Sequence, residues 1–298
     1  MKDRNPSPLR YPGGKSSLAG VLEAILYANQ LQGSTYVEPF AGGAGAALKL
    51  LSGGHVGRVV VNDADRAVYS FWQAVMNNTE EFVDRIQQTP LTVAEWRRQR
   101  EIYHGSRRQG RLNLGFAAFY LNRCNRSGII KNAGPIGGLK QEGEWRIDAR
   151  FNRDALARRV REIADFGDRI LVFNEDALDL VSRLDDFVGG DRTFVYADPP
   201  YFRKGRELYL SHYGMDDHSA FAELIQSQQT LAWIMTYDDA PEIRELYTAS
   251  QIQPFRLRYS AHHSSTEGGE LLISPEHVTI PHEACHVLAR NHGYFRCL

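Results

Sequence analysis

The sequence predicts an α/β fold with a mainly parallel β-sheet, an antiparallel edge and a helical insertion. Short runs rich in β-branched and aromatic residues alternate with helical patterns over residues 18–63 and again over 153–247, which is typical of a parallel sheet. Between residues 64 and 123 helical patterns follow one another without a strong strand, so this block is predicted to be an insertion. The last two strand patterns, at 255–259 and 270–273, are predicted to form a hairpin that closes the sheet.

The first strand pattern leads into a glycine-rich turn. A strand at 36–40 precedes the turn at 41–45 (Ala-Gly-Gly-Ala-Gly) and an apolar helix at 46–51, which is typical of the first unit of a Rossmann-like fold. The next strand, at 58–62, ends at Asp63, in the position of a carboxylate that binds ribose hydroxyls about 20 residues beyond the glycines. The sequence lacks a Gly-x-x-x-x-Gly-Lys-Ser/Thr loop, which favours a nucleoside ligand with little phosphate over ATP.

A later strand pattern, at 193–197, ends at Asp198-Pro199-Pro200-Tyr201. Two prolines remove two backbone donors, so the carbonyl groups there remain able to accept hydrogen bonds from a ligand. Asp198 and a proline carbonyl can each accept one N–H of a planar amine, while Tyr201 stacks on its ring. A strand followed by a proline turn is the alternative explanation of these four residues on their own.

The predicted parallel sheet brings several of these residues together. Ligands of such sheets bind beyond the carboxyl ends of the strands. Phe40, Asp63, Asp176 and Asp198 are all expected at that edge. Asp176 could equally be the N-cap of the helix that follows it.

The N-terminal region contains a short loop, Arg-Tyr-Pro-Gly-Gly-Lys at 10–15, ahead of a helix predicted at 18–27. Glycines beside a lysine at a helix start can bind a carboxylate or phosphate through backbone N–H groups. A capped helix after a surface turn explains the pattern equally well.

Positive charge is concentrated in one part of the chain. Residues 96–131 contain nine Arg or Lys and one acid, a net charge of +8, whereas the whole chain has a net charge of −1. A basic segment on an otherwise acidic protein is typical of polyanion binding. The following residues, up to 150, are rich in Gly, Asn and basic side chains, which suit phosphate contact and base reading; a long surface loop is the alternative.

Composition excludes several classes of protein. No apolar run approaches the length of a membrane span, and residues 1–8 are polar, so the sequence predicts a cytoplasmic protein without a signal peptide. Three cysteines are too few for a disulfide framework. None follows a proline, so the Pro-Cys nucleophile expected for methylation at cytosine C5 is absent.

Taken together, these motifs resemble the Dam-type DNA adenine-N6 methyltransferases, the D12 or α group. The matching segments, in that group's order, are Arg-Tyr-Pro-Gly-Gly-Lys at 10–15, Val-Glu-Pro-Phe-Ala-Gly-Gly-Ala-Gly at 37–45, Asn-Asp at 62–63, Tyr-Leu-Asn-Arg at 120–123, Arg-Phe-Asn at 150–152 and Asp-Pro-Pro-Tyr at 198–201. The resemblance spans residues 8–276 and implies a Rossmann-like methyltransferase domain that uses S-adenosylmethionine.

The resemblance also implies roles for individual residues. Those expected to bind S-adenosylmethionine are Tyr11, Lys15, Glu38, Phe40, Gly42, Gly45, Asp63, Asp176 and Asp198. The expected catalytic residues are Asp198, Pro199, Pro200 and Tyr201, acting on an adenine flipped out of double-stranded DNA. The residues expected to contact DNA are Arg123, Asn125, Arg126 and Lys131, and no metal is expected. The target sequence GATC is not inferred, because residues 134–138, Gly-Pro-Ile-Gly-Gly, differ from the best-known solitary members.

The predicted organisation is a catalytic domain at 1–77 and 151–276, a helical DNA-binding domain at 78–150 and a C-terminal tail at 277–298. The tail carries His277, His282, Cys285, His286, His292 and Cys297, a set that matches no standard zinc module. Methylation of cytosine N4 and a catalytically silent DNA-binding regulator are the alternative functions. A cognate restriction nuclease or a defence-system protein is a possible partner.

Overall fold

A computed structural model describes residues 6–10, 15–105, 108–188, 192–203, 213–261 and 264–282, with backbone alone at 256–261 and 264–268. Its α-helices are α1 (Ala19–Ala28), α2 (Gly45–Ser52), α3 (Arg66–Asn77), α4 (Thr79–Gln88), α5 (Val93–His104), α6 (Arg111–Cys124), α7 (Arg153–Ala164), α8 (Ala177–Ser182), α9 (Asp185–Val188), α10 (Met215–Ser227) and α11 (Pro241–Leu246). Its strands are β1 (Thr35–Glu38), β2 (Arg58–Asn62), β3 (Ile170–Phe173), β4 (Thr193–Ala197), β5 (Ala232–Asp238), β6 (Gln251–Ala261) and β7 (Ser264–Ser274). In this part of the chain no helix is long and apolar enough to cross a bilayer.

The chain forms two compact units, each made of two segments. The first unit comprises Met1–Gly14 and Asp63–Asn174. The second comprises Lys15–Asn62 and Glu175–Leu298. The functional division expected at residues 77, 150 and 276 stays a prediction.

Six strands of the second unit form a sheet in the order β2-β1-β4-β5-β7-β6. β1 pairs in parallel with β2 and β4, and β4 pairs in parallel with β5. β7 lies antiparallel to both β5 and β6. The predicted α/β fold, mainly parallel with an antiparallel edge, is therefore confirmed.

The parallel strands are apolar because both faces of the sheet are covered. Val37, Val60, Val195 and Ile234, one on each of the four parallel strands, have no exposed surface. Strands buried on both faces have continuous apolar runs rather than alternating ones, which is the pattern of residues 58–62 and 193–197. Because these strands are parallel, the residues at their carboxyl ends lie along one edge of the sheet.

The first unit contains α3 to α7 and β3, as the helical patterns predict. Its core includes a phenylalanine cluster in which the ring centroids of Phe71 and Phe119 are 6.0 Å apart and those of Phe82 and Phe116 are 5.5 Å apart. Helices α3 and α6 approach closely at Gly115, where a Cβ would lie 2.4 Å from a backbone oxygen of α3. The absence of a side chain there permits this contact.

Two elements differ from their predicted lengths. The helical pattern of residues 177–184 indicates one helix, but α8 ends at Ser182 because Arg183 leaves the helical conformation (φ −123°, ψ 27°), and α9 begins at Asp185. The last two strands are longer than expected and pair along their whole length. Pro254 is tolerated in β6 because β6 is an edge strand and a proline need not donate to a ladder on its outer side.

Candidate active site

Asp198 lies directly after β4 in the second unit and is held through one of its two oxygens. Its Oδ1 lies 3.2 Å from the Nζ of Lys15 and accepts a hydrogen bond of 2.8 Å from the hydroxyl of Thr236 in β5. Among the described residues Oδ2 has no hydrogen-bond partner, and the side chain is 22% exposed. The carboxylate therefore keeps one oxygen available to accept a hydrogen bond from a ligand.

The proline loop after Asp198 is fixed from β5. Asp238, the last residue of that strand, accepts hydrogen bonds from the backbone N–H groups of Phe202 (2.9 Å) and Arg203 (3.0 Å). Pro199 and Pro200 are buried, and the Pro199 carbonyl accepts no hydrogen bond from the described residues. The loop is thus held at its far end, and the Pro199 carbonyl can still accept a hydrogen bond.

Lys15 contacts two carboxylates and one hydroxyl. Its ammonium lies 2.5 Å from the hydroxyl of Tyr201, 3.6 Å from Oε2 of Glu270 and 4.8 Å from the centroid of the Tyr201 ring. The Tyr201 hydroxyl in turn donates to Oε1 of Glu270 at 2.5 Å. These contacts place Lys15, Asp198, Tyr201 and Glu270 in one cluster, which we call the Lys15 cluster.

Burial sets the protonation of two members of this cluster. Burial raises the pKa of Glu270 to about 7, and the ammonium of Lys15 opposes that rise. Burial and the charge of Asp198 raise the pKa of Tyr201 well above its usual value, so the hydroxyl remains a donor at neutral pH. Glu270 consequently changes charge near neutrality while its partner Tyr201 does not.

Glu38, expected to bind cofactor, makes its contacts inside the protein. Its Oε1 accepts hydrogen bonds from the hydroxyl of Tyr36 (3.0 Å) and from the N–H of Ala47 (3.1 Å) in the first turn of α2. The N-cap residue Ala44 is left-handed (φ 45°) and offers no side-chain acceptor, so the carboxyl of Glu38 takes that place. Burial raises the pKa of Glu38 to about 8, so this carboxyl is mostly protonated at neutral pH.

Gly45 helps to position the segment that carries Lys15. A Cβ on Gly45 would lie 3.0 Å from the Cβ of Ser16, which is closer than side chains normally approach. Lys49 of α2 donates a 2.7 Å hydrogen bond to the carbonyl of Ser16. The start of α2 therefore packs directly against the residue next to Lys15.

The other expected cofactor residues occupy varied positions. Phe40 is half-buried in the second unit, with its ring centroid 5.2 Å from that of Phe221 in α10. Asp176 is exposed and caps α8 by accepting from Leu178, so the N-cap explanation of this residue is confirmed. Asp63 belongs to the first unit, where its carboxylate accepts from the N–H of Asp65. Tyr11 lies outside the described residues.

Asn62, at the end of β2, belongs to the matched Asn-Asp segment at 62–63, where no role was expected for it; in the structure it is a positioning residue. Its amide nitrogen donates to the carbonyls of Pro39 (2.9 Å) and Glu175 (3.0 Å), and its oxygen accepts from the N–H of Glu175 (3.0 Å). The side chain has no exposed surface. It ties the turn after β1 to the residues before α8. Thr236, Asp238 and Glu270 were not identified as site residues from the sequence. Asp238 ends a parallel strand, and that position could have identified it.

The four residues expected to contact DNA divide into two pairs in the first unit. Asn125 has no exposed surface; its oxygen accepts from the indole N–H of Trp96 (2.6 Å) and its nitrogen donates to the carbonyls of Ile129 and Ile130. Arg123 donates to the carbonyl of Arg150. Arg126 and Lys131 are exposed. In this conformation Asn125 and Arg123 support the loop, whereas Arg126 and Lys131 have access to a ligand.

A loop at 136–147, the Gln141 loop, presents large apolar side chains to solvent. Gln141 donates to the carbonyls of Ile136 (2.8 Å) and Gly138 (2.5 Å) and accepts from the N–H of Ile147 (2.9 Å). In the loop held by these three hydrogen bonds, Leu139 and Trp145 have 56% and 62% of their surface exposed. The other tryptophans, Trp72, Trp96 and Trp233, are buried. The loop is therefore ordered by its own side chain and offers an aromatic surface.

No group of three or more His, Cys, Asp or Glu that could hold a metal occurs among the described residues. That region includes His277 and His282, whereas Cys285, His286, His292 and Cys297 lie outside it.

Comparisons with known proteins give one decisive match. A family model described as D12 class N6 adenine-specific DNA methyltransferase matches residues 11–261. No curated protein matches the chain.

Among solved structures, two of the rRNA methyltransferase aviRa from Streptomyces viridochromogenes are similar. One is 13% identical, with a TM-score of 0.35, and the match covers 86% of this chain and 83% of that one. The other is 14% identical, with a TM-score of 0.32, and the match covers 87% and 80%. Similarities this weak leave the family match as the finding on which function rests.

Proposed function

Since the chain belongs to the D12 class N6 adenine-specific DNA methyltransferase family, we propose that it transfers a methyl group from S-adenosylmethionine to adenine N6 at the Asp198–Tyr201 loop. The observation that carries this proposal is the geometry of Asp198. Lys15 and Thr236 both engage Oδ1, so Oδ2 can accept one N–H of the target amine.

The loop would bind and orient the amine. The carbonyl of Pro199 would accept its second N–H, and the ring of Tyr201 would stack on the flipped base. Two such hydrogen bonds favour a pyramidal nitrogen whose lone pair is directed at the methyl group, and correct alignment lowers the barrier further. Asp238 keeps the loop in place through the N–H groups of Phe202 and Arg203.

The residues of the second unit are compatible with S-adenosylmethionine, which supplies an electrophilic methyl group on a sulfonium when bound. The glycine turn follows β1 at the carboxyl edge of the parallel strands, the usual ligand position in such sheets. Gly42 in this turn is left-handed (φ 47°), and Phe40 beside it keeps part of its ring accessible. Gly42, Gly45 and Phe40 would bind the cofactor, while Glu38 would support the turn. For Tyr11, Lys15, Asp63, Asp176 and Asp198 a cofactor contact remains part of the proposal.

Double-stranded DNA would bind the basic part of the first unit. Arg126 and Lys131 are exposed there, and Lys140 and Arg146 of the Gln141 loop are exposed as well. These side chains would contact phosphate, while Arg123 and Asn125 would hold the segment in shape. DNA affinity is then expected to fall steeply with salt concentration, and a flat response would remove this segment from the interface.

The test is expression in a host without DNA methylation, followed by base-resolution detection of N6-methyladenine and N4-methylcytosine. We expect N6-methyladenine at one defined motif with the wild type and none with Asp198→Ala, provided that the variant folds. Methylcytosine, or normal turnover by folded Asp198→Ala, would contradict the proposed chemistry. Challenging the methylated DNA with a nuclease that cuts the same motif tests the proposed restriction partner. A DNA substrate also supports a cytoplasmic location.

A further inference from the structure

Glu270 lies at the centre of the Lys15 cluster. It is in β7, opposite Asp238 of β5 in the antiparallel register, and is 1% exposed. Its Oε1 accepts from the Tyr201 hydroxyl, and its Oε2, without a hydrogen-bond donor among the described residues, lies 3.6 Å from the Lys15 ammonium. One buried carboxylate therefore touches both Lys15 and Tyr201.

The two carboxylates of this cluster compete for one ammonium. The ammonium of Lys15 lies 3.2 Å from Oδ1 of Asp198 and 3.6 Å from Oε2 of Glu270. An ammonium bound only to Asp198 would withdraw electron density from that carboxylate and weaken it as an acceptor. A second carboxylate shares the charge of the ammonium and so leaves Asp198 a stronger acceptor, because Coulomb attraction in a buried site is less screened than in water.

Glu270 also determines the orientation of Tyr201. The Tyr201 hydroxyl accepts from Lys15 and donates to Glu270, so its proton points towards β7. The ring that would stack on the target base is thereby fixed from its far end. A neutral amide at position 270 could still accept from the hydroxyl but could not attract the ammonium as a charge.

We propose that Glu270 is a positioning residue for methyl transfer, which shares the Lys15 ammonium with Asp198 and fixes the Tyr201 ring. The inference rests on the proposed role of Asp198. Glu270 would act through neighbouring side chains, without a contact of its own to the substrate.

This role makes turnover depend on the charge of Glu270. The charged and titratable groups around it are Lys15, Asp198 and Tyr201, with Tyr196 of β4 and Asp238 of β5 nearby. Because the pKa of Glu270 is raised to about 7, the carboxyl is neutral below that pH and ionised above it. The ionised form is the one that shares the Lys15 charge with Asp198, so turnover should rise as pH increases through neutrality.

The test is Glu270→Gln, with Glu276→Gln as the matched control because Glu276 is exposed and follows the same strand. We expect the kcat of Glu270→Gln to fall by about tenfold or more, since small misplacements of reacting groups cost up to about a hundredfold. The KM for DNA should stay within about twofold of the wild type. The rise of kcat through neutral pH should disappear, whereas Glu276→Gln should keep both the rate and the pH profile.

A merely structural role for Glu270 would lower the melting temperature but leave kcat per folded enzyme and its pH profile unchanged. That result would overturn the proposal. If Glu270→Gln does not fold, Glu270→Asp takes its place, because a shorter carboxylate keeps the charge but cannot reach both partners. It should retain the pH-dependent rise at a lower kcat, and an unchanged kcat would count against the proposal. Turnover by Asp198→Ala, measured in parallel, would instead contradict the proposed function.

Discussion

Replacing Asp238 by asparagine would remove one of the two acceptors that hold the proline loop. The carboxylate accepts from the N–H groups of Phe202 and Arg203 at 2.9 and 3.0 Å, and the side chain is 7% exposed. An amide keeps one oxygen but directs an NH₂ group at the second N–H. Since a hydrogen bond to a charged group contributes about 1.5–3 kcal/mol, Asp238→Asn should lower the free energy of unfolding by about that amount.

The same substitution should also slow catalysis. Loss of one anchor lets the residues after Tyr201 shift, and a displacement of about 1 Å at a reacting group costs on the order of a hundredfold in rate. We therefore expect a fall in kcat of that order in a variant that remains folded at assay temperature. Urea denaturation, with its midpoint and slope, measures the stability, and methyl transfer to DNA measures the rate.

The adjacent Asp239 provides the control. Its carboxylate is 36% exposed and pairs with Arg244 at the surface, so Asp239→Asn should change stability by less than about 1 kcal/mol and leave kcat unaltered. Wild-type kcat in Asp238→Asn, or equal losses in the two variants, would refute the view that Asp238 holds the catalytic loop.

Three further predictions concern other parts of the two units. Gly45→Val should lower the free energy of unfolding by about 1–3 kcal/mol in urea denaturation and reduce activity, because the new side chain would push Ser16 and the neighbouring lysine. Gly134→Ala is the control, because a Cβ there meets nothing within 4 Å. Burial raises the pKa of Glu38 to about 8, so the wild type should lose stability as pH rises from the unfolded pKa towards 8, whereas Glu38→Gln should not; parallel stability curves would contradict this. DNA should change the fluorescence of Trp145, the exposed tryptophan of the described residues, and Trp145→Phe should abolish that change while binding persists. An unchanged spectrum at saturating DNA would exclude the Gln141 loop from the interface.

Local patterns predicted most of the fold because each element carries its own signal. β2 and β4 have the residue bounds predicted for them, since a β-branched run with clear ends favours a strand over other structures. The break at Arg183 could not be predicted, because it depends on one residue's backbone and not on periodicity.

The candidate site was only partly predictable, for a different reason. Asp198 and Tyr201 stand in a motif, but Thr236, Asp238 and Glu270 come from strands that only the folded sheet brings beside them. Asn125 shows a second reason. Its polarity and basic surroundings suggested DNA contact, whereas its amide is used by Trp96, Ile129 and Ile130 within the protein. The sequence shows which polar groups are present but not which of them already have hydrogen-bond partners within the protein.

The side chain of Asn62 has a consequence for how such a chain could diversify. The second unit stops at Asn62 and resumes at Glu175, and the amide of Asn62 bonds both the N–H and the carbonyl of Glu175. The residues that flank the intervening 63–174 segment are thus joined by the Asn62 side chain. A segment whose two ends meet can be lengthened, shortened or exchanged without altering the backbone path on either side of it. On the proposed function, the Asp198–Tyr201 loop of the second unit could in this way be kept while residues of the first unit change.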